Sequence, residues 1–462
     1  MQLEDRMLSK GRIRKLLTVL VVLLVLDVMF IAYAYIGYRS EHPSDGMVSY
    51  PTNDRFIEKV IGQDKIHSKV LVNKILNETA VASEISKHLS SANKDAANTV
   101  VFLKTHKTGS STMQNILLRY GILHNLSIAL PVFKASFLWP APFKKEYARQ
   151  QPEVEKHHIL AHHLVWNKHE IDSIMHPNPV YITILREPIS LFRSAYSYYQ
   201  MAATCYKHTL DQWPYVDIKV LKGGACWRTG MPSRNLLAYD FGLSYADFDN
   251  EEAIQEMIQQ IDASFKVVMI MDRFDESLIL LKRRLRWATS DIVYFKQNAQ
   301  SAHPNSFQDD ILYHVIYELN KADALIYEHF NRRLTAELNA EFNQKELENE
   351  LRILHEFQSN LTNSCIDRTT DNAKLMKDPQ LNNPNELARS WMFRPYGQKT
   401  VGYKLKQKSL ENVMCRLLAL PELSLTHYLK GQVFGEAAPA EREEQSHETV
   451  NPIKFQMGIP IL

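Results

Sequence analysis

A strand, a short polar loop and a helix follow one another between Val100 and Gly121, and no other segment constrains the fold of this chain as much. The run VVFL at 100–103 is β-branched and aromatic, as in a buried strand. After the loop KTHKTGSS, apolar residues recur at helical spacing, and we expect Ser110 or Ser111 to cap this helix and Gly121 to end it. Because loop N–H groups and a helix N-terminus attract anions, the segment predicts a phosphate site.

This loop differs from the P-loop of nucleotide hydrolases. That loop needs two glycines and the order Gly-Lys-Ser/Thr, whereas here Lys107 precedes the single Gly109. Lys104 and Lys107 add positive charge close to the start of the helix. A plain polar connection between strand and helix explains this segment equally well when it is taken alone, so a second segment is needed to decide.

The second segment, VYITILREPISLFRSAYSYYQ at 180–200, also reads as an apolar strand that runs into a helix. Arg186 stands at the carboxyl end of the strand, where open α/β sheets bind their ligands, and Ser194 follows on the helix. The guanidinium group of arginine matches the geometry of a phosphate. Taken alone, Arg186 is better explained as a surface cation paired with Glu187.

Together the two segments resemble the 5′-phosphosulfate loop and the 3′-phosphate motif of sulfotransferases that use 3′-phosphoadenosine 5′-phosphosulfate (PAPS). The resemblance is most detailed to the galactose-3-O-sulfotransferase family and covers about residues 98–300, continuing more weakly to about 420. It implies an α/β fold with a mainly parallel sheet flanked by helices, the P-loop-like sulfotransferase fold. The stretches that carry it are FLKTHKTGSST, HHILAHHLVW, LREPISLFRSAYSYY, MPSRNLLAYDFGLS, VMIMDRFDESLILLKRRLRW and DIVYFKQNAQ.

The resemblance also implies roles for individual residues. Lys107 corresponds to the lysine that contacts the 5′-phosphosulfate and stabilises the departing phosphate oxygen, and Arg186 and Ser194 correspond to the 3′-phosphate pair. Negative charge grows on the leaving oxygen during sulfuryl transfer, so positioned cations carry much of the catalysis and no metal is required. The candidate donor-binding residues are Lys104, Lys107, Thr108, Gly109, Ser110, Ser111, Thr112, Arg186 and Ser194.

The acceptor hydroxyl needs a base, and histidine accepts protons near neutral pH. Related glycan sulfotransferases carry a base histidine between the two phosphate motifs, which implies His162 or His163 here, with His106 in the loop as a third candidate. The carboxylates of Glu170 and Asp172 are alternatives. The histidines crowded into this stretch are His157, His158, His162, His163, His169 and His176.

The amino terminus predicts a membrane anchor. Residues 16–36 are apolar over about the length that a bilayer requires, and most nearby cations precede them, which predicts a cytosolic N-terminus and a lumenal enzyme, the type II layout of Golgi membrane proteins. A cleaved signal peptide is the alternative. The predicted parts are a cytosolic tail at 1–15, a single-pass signal anchor at 16–36, a stem at 37–98, a lumenal sulfotransferase domain at 99–430 and a disordered tail at 431–462.

Glycosylation acceptors and cysteines agree with a lumenal domain. NxS/T triplets begin at Asn77, Asn125 and Asn360, and the four cysteines allow two disulfides with three pairings in an oxidising compartment. Sequence proximity favours Cys205–Cys226 and Cys365–Cys415. The formal net charge of +2 gives no argument for nucleic acid binding, and no nucleic acid partner is expected.

The expected function is sulfuryl transfer from PAPS to the 3-hydroxyl of a β-linked galactose in a glycolipid, such as galactosylceramide, or in a glycan. Another carbohydrate sulfotransferase, for example one that acts on uronic acid, is the nearest alternative. The DxD pattern of Asp247 and Asp249 suggests a metal-dependent glycosyltransferase instead, although helix capping explains it better. A binding module that retains the fold without activity is the third alternative.

Overall fold

The computed structural model describes residues 82–86, 93–132, 136–223, 232–297, 310–371 and 401–434. All of them belong to one compact unit, Asp64–Leu462. The predicted cytosolic tail and membrane anchor lie outside the described residues, as do most of the stem and of the C-terminal tail. Over the ranges given above, no helix combines the length and the apolar character needed to cross a bilayer.

Four parallel strands form the central sheet. They are β1 (Val100–Leu103), β2 (Ile159–Leu160), β3 (Val180–Leu185) and β4 (Phe265–Ile270), in the spatial order β2-β1-β3-β4. Their side chains are almost all buried, as expected for parallel strands whose two faces are covered. The α/β class with a parallel sheet flanked by helices is therefore confirmed.

The strand order creates a crevice between β1 and β3. The chain leaves β1, forms β2 on one side of it, and then returns to form β3 on the other side, so the connections diverge at this point. Leu103 pairs with Thr183, and the Thr183 hydroxyl donates to the Leu103 carbonyl at 2.9 Å. The loops that begin at Lys104 and Arg186 consequently leave the same edge of the sheet, where such folds bind ligands.

Helices and a second, two-stranded antiparallel sheet complete the described structure. Residues 310–357, which show helical periodicity in the sequence, are helical except at short breaks, the last of which ends in a capping box between Asn343 and Glu346. The helices are α1 (Ser110–Leu123), α2 (Lys168–Asp172), α3 (Pro188–Tyr198), α4 (Ile218–Lys222), α5 (Leu236–Asp240), α6 (Glu251–Ser264), α7 (Phe274–Leu285), α8 (Thr289–Ile292), α9 (Asp310–Leu319), α10 (Lys321–Glu341), α11 (Gln344–Cys365), α12 (Val413–Ala419) and α13 (Glu422–Phe434), and the additional strands are β5 (Ile366–Asp371) and β6 (Val401–Leu405).

Helix α1 is buried along its whole length and continues past the glycine that was expected to end it. A Cβ atom on Gly121 would lie 2.7 Å from Cδ1 of Ile128, so the missing side chain lets the helix approach the following segment closely. The predicted helix end at Gly121 is therefore wrong, because this glycine serves packing rather than termination. The helix ends two residues later, at Leu123.

A disulfide between Cys365 and Cys415 joins the end of α11 to α12, as predicted. Cys205 is also disulfide-bonded, but its predicted partner Cys226 lies outside the described residues. The Cys365–Cys415 disulfide closes a loop with a sequence separation of 50 residues and ties the C-terminal helices to the rest of the domain. Those helices pack against α1, where Asn115 donates to backbone carbonyls of the segment that ends α12.

Candidate active site

The loop after β1 is held by its own hydroxyl groups. Thr105 donates to the carbonyl of Ile184 at 2.5 Å, and Ser110 donates back to the Thr105 carbonyl at 2.5 Å. The N-cap of α1 is Gly109, which makes no side-chain cap, so the predicted cap by Ser110 or Ser111 is wrong. Because the Ser110 hydroxyl holds the loop instead, the N-terminus of α1 keeps backbone N–H groups for an anion.

Gly109 is the position where the loop requires glycine. Its φ is +74°, and a Cβ there would lie 2.4 Å from Sδ of Met271. Met271 directly follows β4, so the loop after β1 passes close to the carboxyl end of another strand of the sheet. Any side chain at this position would both strain the backbone and push the loop away from the sheet.

Lys107 and Arg186 are brought together, as the two motifs predict. Arg186 Nη1 donates to the Lys107 carbonyl at 3.0 Å, and the Lys107 ammonium lies 3.6 Å from the centre of the Tyr198 ring on α3. Burial, followed by the charges of Arg186 and Lys104, lowers the pKa of Lys107 to about 8, although Glu422 opposes this. Among the residues that the structure describes, no carboxylate forms an ion pair with this ammonium. A half-buried cation in this state suits an incoming anion.

The remaining predicted donor residues lie around this pair. Thr108 and Ser111 are buried in the loop and in the first turn of α1, and Ser194 is buried on α3, the helix that follows Arg186. The Thr112 hydroxyl accepts from the backbone N–H of Gln297 at 3.0 Å, so it supports the fold around the helix start. Burial also lowers the pKa of Arg186.

Lys104 is already neutralised by protein groups. Its buried ammonium lies 2.9 Å from Oε2 of Glu422, the first residue of α13, and 3.0 Å from Nε2 of His163. The Lys104 ammonium is therefore less available than that of Lys107 for binding an anionic ligand. The sequence offered no signal for Glu422, because this residue follows the loop by more than three hundred positions and carries no motif.

The three candidate histidines have different surroundings. His162 is fully buried, its Nε2 is 2.9 Å from the Thr426 hydroxyl on α13, and burial lowers its pKa to about 3. His163 donates from Nδ1 to the Lys104 carbonyl at 2.8 Å, so its Nε2 lone pair accepts from the Lys104 ammonium. Burial and the neighbouring His106 and Lys104 hold the pKa of His163 well below its usual range. Both side chains are thus engaged as neutral groups.

His106 is paired with a carboxylate. Asp240 accepts from the His106 backbone N–H at 2.8 Å and from its ring Nδ1 at 2.9 Å. The ring stacks on His163, with centroids 3.9 Å apart, and lies 4.2 Å from the ring of Trp139. Because Nδ1 carries the proton toward Asp240, Nε2 is left as a proton acceptor. Sequence reasoning missed Asp240, although it stands in the shared stretch MPSRNLLAYDFGLS.

Helix α5 ends at Asp240. Its start is held by two buried polar side chains, Asp323 on α10 and Asn320, the residue that precedes α10. Asp323 accepts from the backbone N–H groups of Leu237 and Ala238 at 3.1 and 2.9 Å, and Asn320 accepts from that of Asn235 at 2.9 Å. All of the groups involved are buried. The carboxylate that orients His106 is therefore carried by a helix whose start is anchored in the core.

The DxD pattern is occupied by ordinary surface contacts. Asp249 lies 2.7 Å from Nη2 of Arg234 and 2.9 Å from Lys222, and Asp247 accepts from Ser244 at 2.6 Å. Hydrogen bonds from Arg234 lower the pKa of Asp249 to about 2. Within the part of the chain that the structure describes, no group of three or more acidic, histidine or cysteine side chains is arranged to hold a metal. Arg234 is directed to Asp249 rather than to the loop after β1.

Asp323 should make the stability of the domain depend on pH. Burial raises its pKa from 3.8 to about 7, so the folded protein holds a proton that the unfolded chain releases. The contribution of Asp323 to the free energy of unfolding is therefore largest below about pH 4 and declines as the pH rises to about 7. We expect urea titrations to show this decline in the unaltered chain and to lack it in Asp323→Asn. Parallel pH profiles for the two proteins would contradict the assignment.

The sheet order, the open helix start and the Lys107–Arg186 pair define an α/β protein with two neighbouring cations where the strand connections diverge. The model of the family Galactose-3-O-sulfotransferase matches residues 9–433. The chain is 32% identical over 348 residues to human galactose-3-O-sulfotransferase 3, covering 72% of this chain and 77% of the relative. It is 31% identical over 349 residues to human galactose-3-O-sulfotransferase 2 (73% and 84%) and 30% identical over 340 residues to bovine galactosylceramide sulfotransferase (70% and 76%). The chain belongs to the galactose-3-O-sulfotransferase family.

Proposed function

We propose that this protein transfers a sulfuryl group from PAPS to the 3-hydroxyl of a β-linked galactose, in a galactosylceramide-like glycolipid or in a glycan, and that it does so on a P-loop-like sulfotransferase fold. One observation carries the proposal furthest. The loop after β1 carries Lys107, a half-buried cation whose carbonyl accepts from Arg186, directly after His106, a histidine oriented by a carboxylate. Family membership supports the galactose acceptor, because the named relatives are galactose-3-O-sulfotransferases and a galactosylceramide sulfotransferase.

The donor is expected to span the two cation sites. Lys107 and the N-terminal N–H groups of α1 would hold the 5′-phosphosulfate, and Arg186 with Ser194 would hold the 3′-phosphate. Two features fit such an anion: the open start of a fourteen-residue helix, and the Lys107 ammonium, whose pKa of about 8 reflects unfavourable burial. Binding of the donor would relieve that unfavourable state.

The reaction then needs one proton transfer. The acceptor oxygen forms a bond to sulfur as the bond between sulfur and the phosphate oxygen breaks, and adenosine 3′,5′-bisphosphate departs. His106 Nε2 takes the proton of the 3-hydroxyl, Asp240 stabilises the imidazolium, and Lys107 stabilises the negative charge on the leaving oxygen. Lys104 occupies the Nε2 lone pair of His163 and thereby keeps the ring stacked against His106 uncharged.

We further propose the type II Golgi layout, with a cytosolic tail at 1–15, a single-pass anchor at 16–36, a stem at 37–98, the lumenal catalytic domain at 99–430 and a terminal tail at 431–462. The disulfide of Cys365 with Cys415 and the disulfide-bonded Cys205 favour an oxidising compartment. The acceptor asparagines Asn125 and Asn360 are exposed, as glycosylation requires.

Radiolabelled PAPS and a panel of acceptors test the function. The panel contains galactosylceramide, lactose, N-acetyllactosamine and a desulfated heparinoid, with Lys107→Ala and Arg186→Ala as controls. We expect label on one or more of the galactosides and its loss in both variants. Label only on the heparinoid would overturn the galactose acceptor while keeping sulfuryl transfer, and the absence of both transfer and PAPS binding would overturn the enzyme assignment.

A further inference from the structure

Trp139 lies against the His106–Asp240 pair. Its indole N–H donates to Oδ1 of Asp240 at 2.9 Å, the same carboxylate oxygen that accepts from Nδ1 of His106. The centres of the Trp139 and His106 rings are 4.2 Å apart. The tryptophan is therefore part of the environment of the proposed base, although it stands in a loop that no recognised motif covers.

The environment of His106 has two distinct sides. One neighbour is the ring of His163, which is attached to Lys104 and hence to the loop that would bind the donor. The other neighbour is Trp139, which is attached to α5 through Asp240. The acceptor hydroxyl must approach His106 while the donor occupies the loop that carries Lys107. Of the two rings beside His106, Trp139 is the one that is not attached to that loop, so it is the ring available to contact the acceptor.

Trp139 is held firmly but is not fully buried. The ring of Tyr239 contacts it edge-on at 6.1 Å between centroids, and the Tyr239 hydroxyl donates to the carbonyl of Pro140 at 2.9 Å. The tryptophan side chain is half-buried, and its single N–H is committed to Asp240. What it offers to a ligand is therefore apolar ring surface in a fixed position.

We propose that Trp139 is the aromatic surface on which the acceptor galactose lies. This inference rests on the proposed function. In β-galactose the axial 4-hydroxyl leaves the hydrogens of C3, C4 and C5 on one face, and this apolar face suits an indole ring. The 3-hydroxyl is equatorial and extends from the edge of the sugar, so a galactose on Trp139 can direct it toward the adjacent His106. In glucose the hydrogen of C4 points to the opposite face, which makes the contact selective for galactose.

Two substitutions separate the ring from its N–H. Trp139→Leu removes both, whereas Trp139→Phe keeps an aromatic surface and loses only the hydrogen bond to Asp240. We expect Trp139→Leu to raise the KM for N-acetyllactosamine about tenfold or more and Trp139→Phe to raise it less than about threefold while lowering kcat. Calorimetric binding of adenosine 3′,5′-bisphosphate should be unchanged in both. Tyr215→Leu, at an aromatic residue that is 89% exposed, is the matched control.

A second measurement uses the unaltered protein. With adenosine 3′,5′-bisphosphate present, saturation-transfer NMR on methyl β-galactoside should show the strongest transfer to H3, H4 and H5, and methyl β-glucoside should show weaker transfer. Strongest transfer to H1 and H2, or an unchanged acceptor KM in Trp139→Leu with a lowered kcat, would overturn the proposal and leave Trp139 as a positioning residue for Asp240. Galactoside binding with this pattern but without sulfuryl transfer would instead overturn the proposed function alone.

Discussion

Replacing Lys107 with methionine is expected to lower kcat/KM for PAPS by about 10³-fold. Methionine keeps a long side chain near Tyr198 but removes the ammonium that lies 3.6 Å from that ring. The loss has two parts, because the cation both attracts the donor and stabilises the oxygen that leaves. Initial rates over a range of PAPS concentrations, at a saturating concentration of the galactoside, measure the effect.

Lys168 supplies a matched control for this substitution. Its ammonium also lies over a tyrosine ring, 5.1 Å from the centre of Tyr181, but it pairs with Asp172 on the surface. We expect Lys168→Met to change kcat/KM by less than about twofold, since exposed ion pairs contribute little. Equal losses in Lys107→Met and Lys168→Met would contradict a specific role for the loop lysine.

The same lysine predicts a loss of activity in alkaline solution. Burial and neighbouring cations lower the pKa of Lys107 to about 8, so the free enzyme loses this ammonium as the pH rises above about 8. The value of kcat/KM for PAPS reports the free enzyme and should fall about tenfold per pH unit beyond that point. In Lys107→Arg, where the guanidinium stays charged, the decline should move to higher pH.

Replacing His106 with asparagine is expected to lower kcat by about 10² to 10⁴-fold, the range typical of a general base. An asparagine amide can still donate to Asp240 in place of Nδ1, but it has no counterpart to Nε2, the atom that we assign to proton transfer. Binding of adenosine 3′,5′-bisphosphate should be nearly unchanged, because the donor contacts assigned to Lys107 and Arg186 remain. Steady-state kinetics with saturating acceptor and calorimetry together separate the two effects.

His163→Asn is the matched comparison for His106→Asn. It likewise keeps a donor for the Lys104 carbonyl and loses Nε2, which in His163 only accepts from the Lys104 ammonium. We expect kcat to fall by less than about tenfold. A larger loss in His163→Asn than in His106→Asn would reverse the assignment, and the base would then be His163, one of the two histidines that the resemblance implies.

The sequence predicts that Lys107 and Arg186 lie close together, because the information that places them is local. A buried strand, a polar loop and a helix with apolar residues at helical spacing are each encoded within a few residues, and two such units imply a shared sheet edge. Lys107 and Arg186 accordingly lie together in the structure. The prediction of the helix cap was wrong because the Ser110 hydroxyl has a competing acceptor, the Thr105 carbonyl, that only the folded loop reveals.

The choice among the histidines depends on residues that are distant in the sequence. Asp240 stands 134 positions after His106, and Thr426 stands 264 positions after His162. The resemblance implies His162 or His163 ahead of His106, and the sequence does not separate the first two. Their partners distinguish the ring that a carboxylate orients, His106, from two rings that are engaged as neutral groups, and no local pattern encodes those partners.

The position of the sulfate on the product is a direct test of sulfuryl transfer to the 3-hydroxyl of galactose. The secreted chain from residue 41 onward is incubated with PAPS and N-acetyllactosamine or galactosylceramide, and the product is examined by NMR. We expect sulfate on O3 of galactose and on no other hydroxyl, with the product absent in Lys107→Met. Sulfate on a different hydroxyl or a different sugar, or the same yield from Lys107→Met, would contradict it.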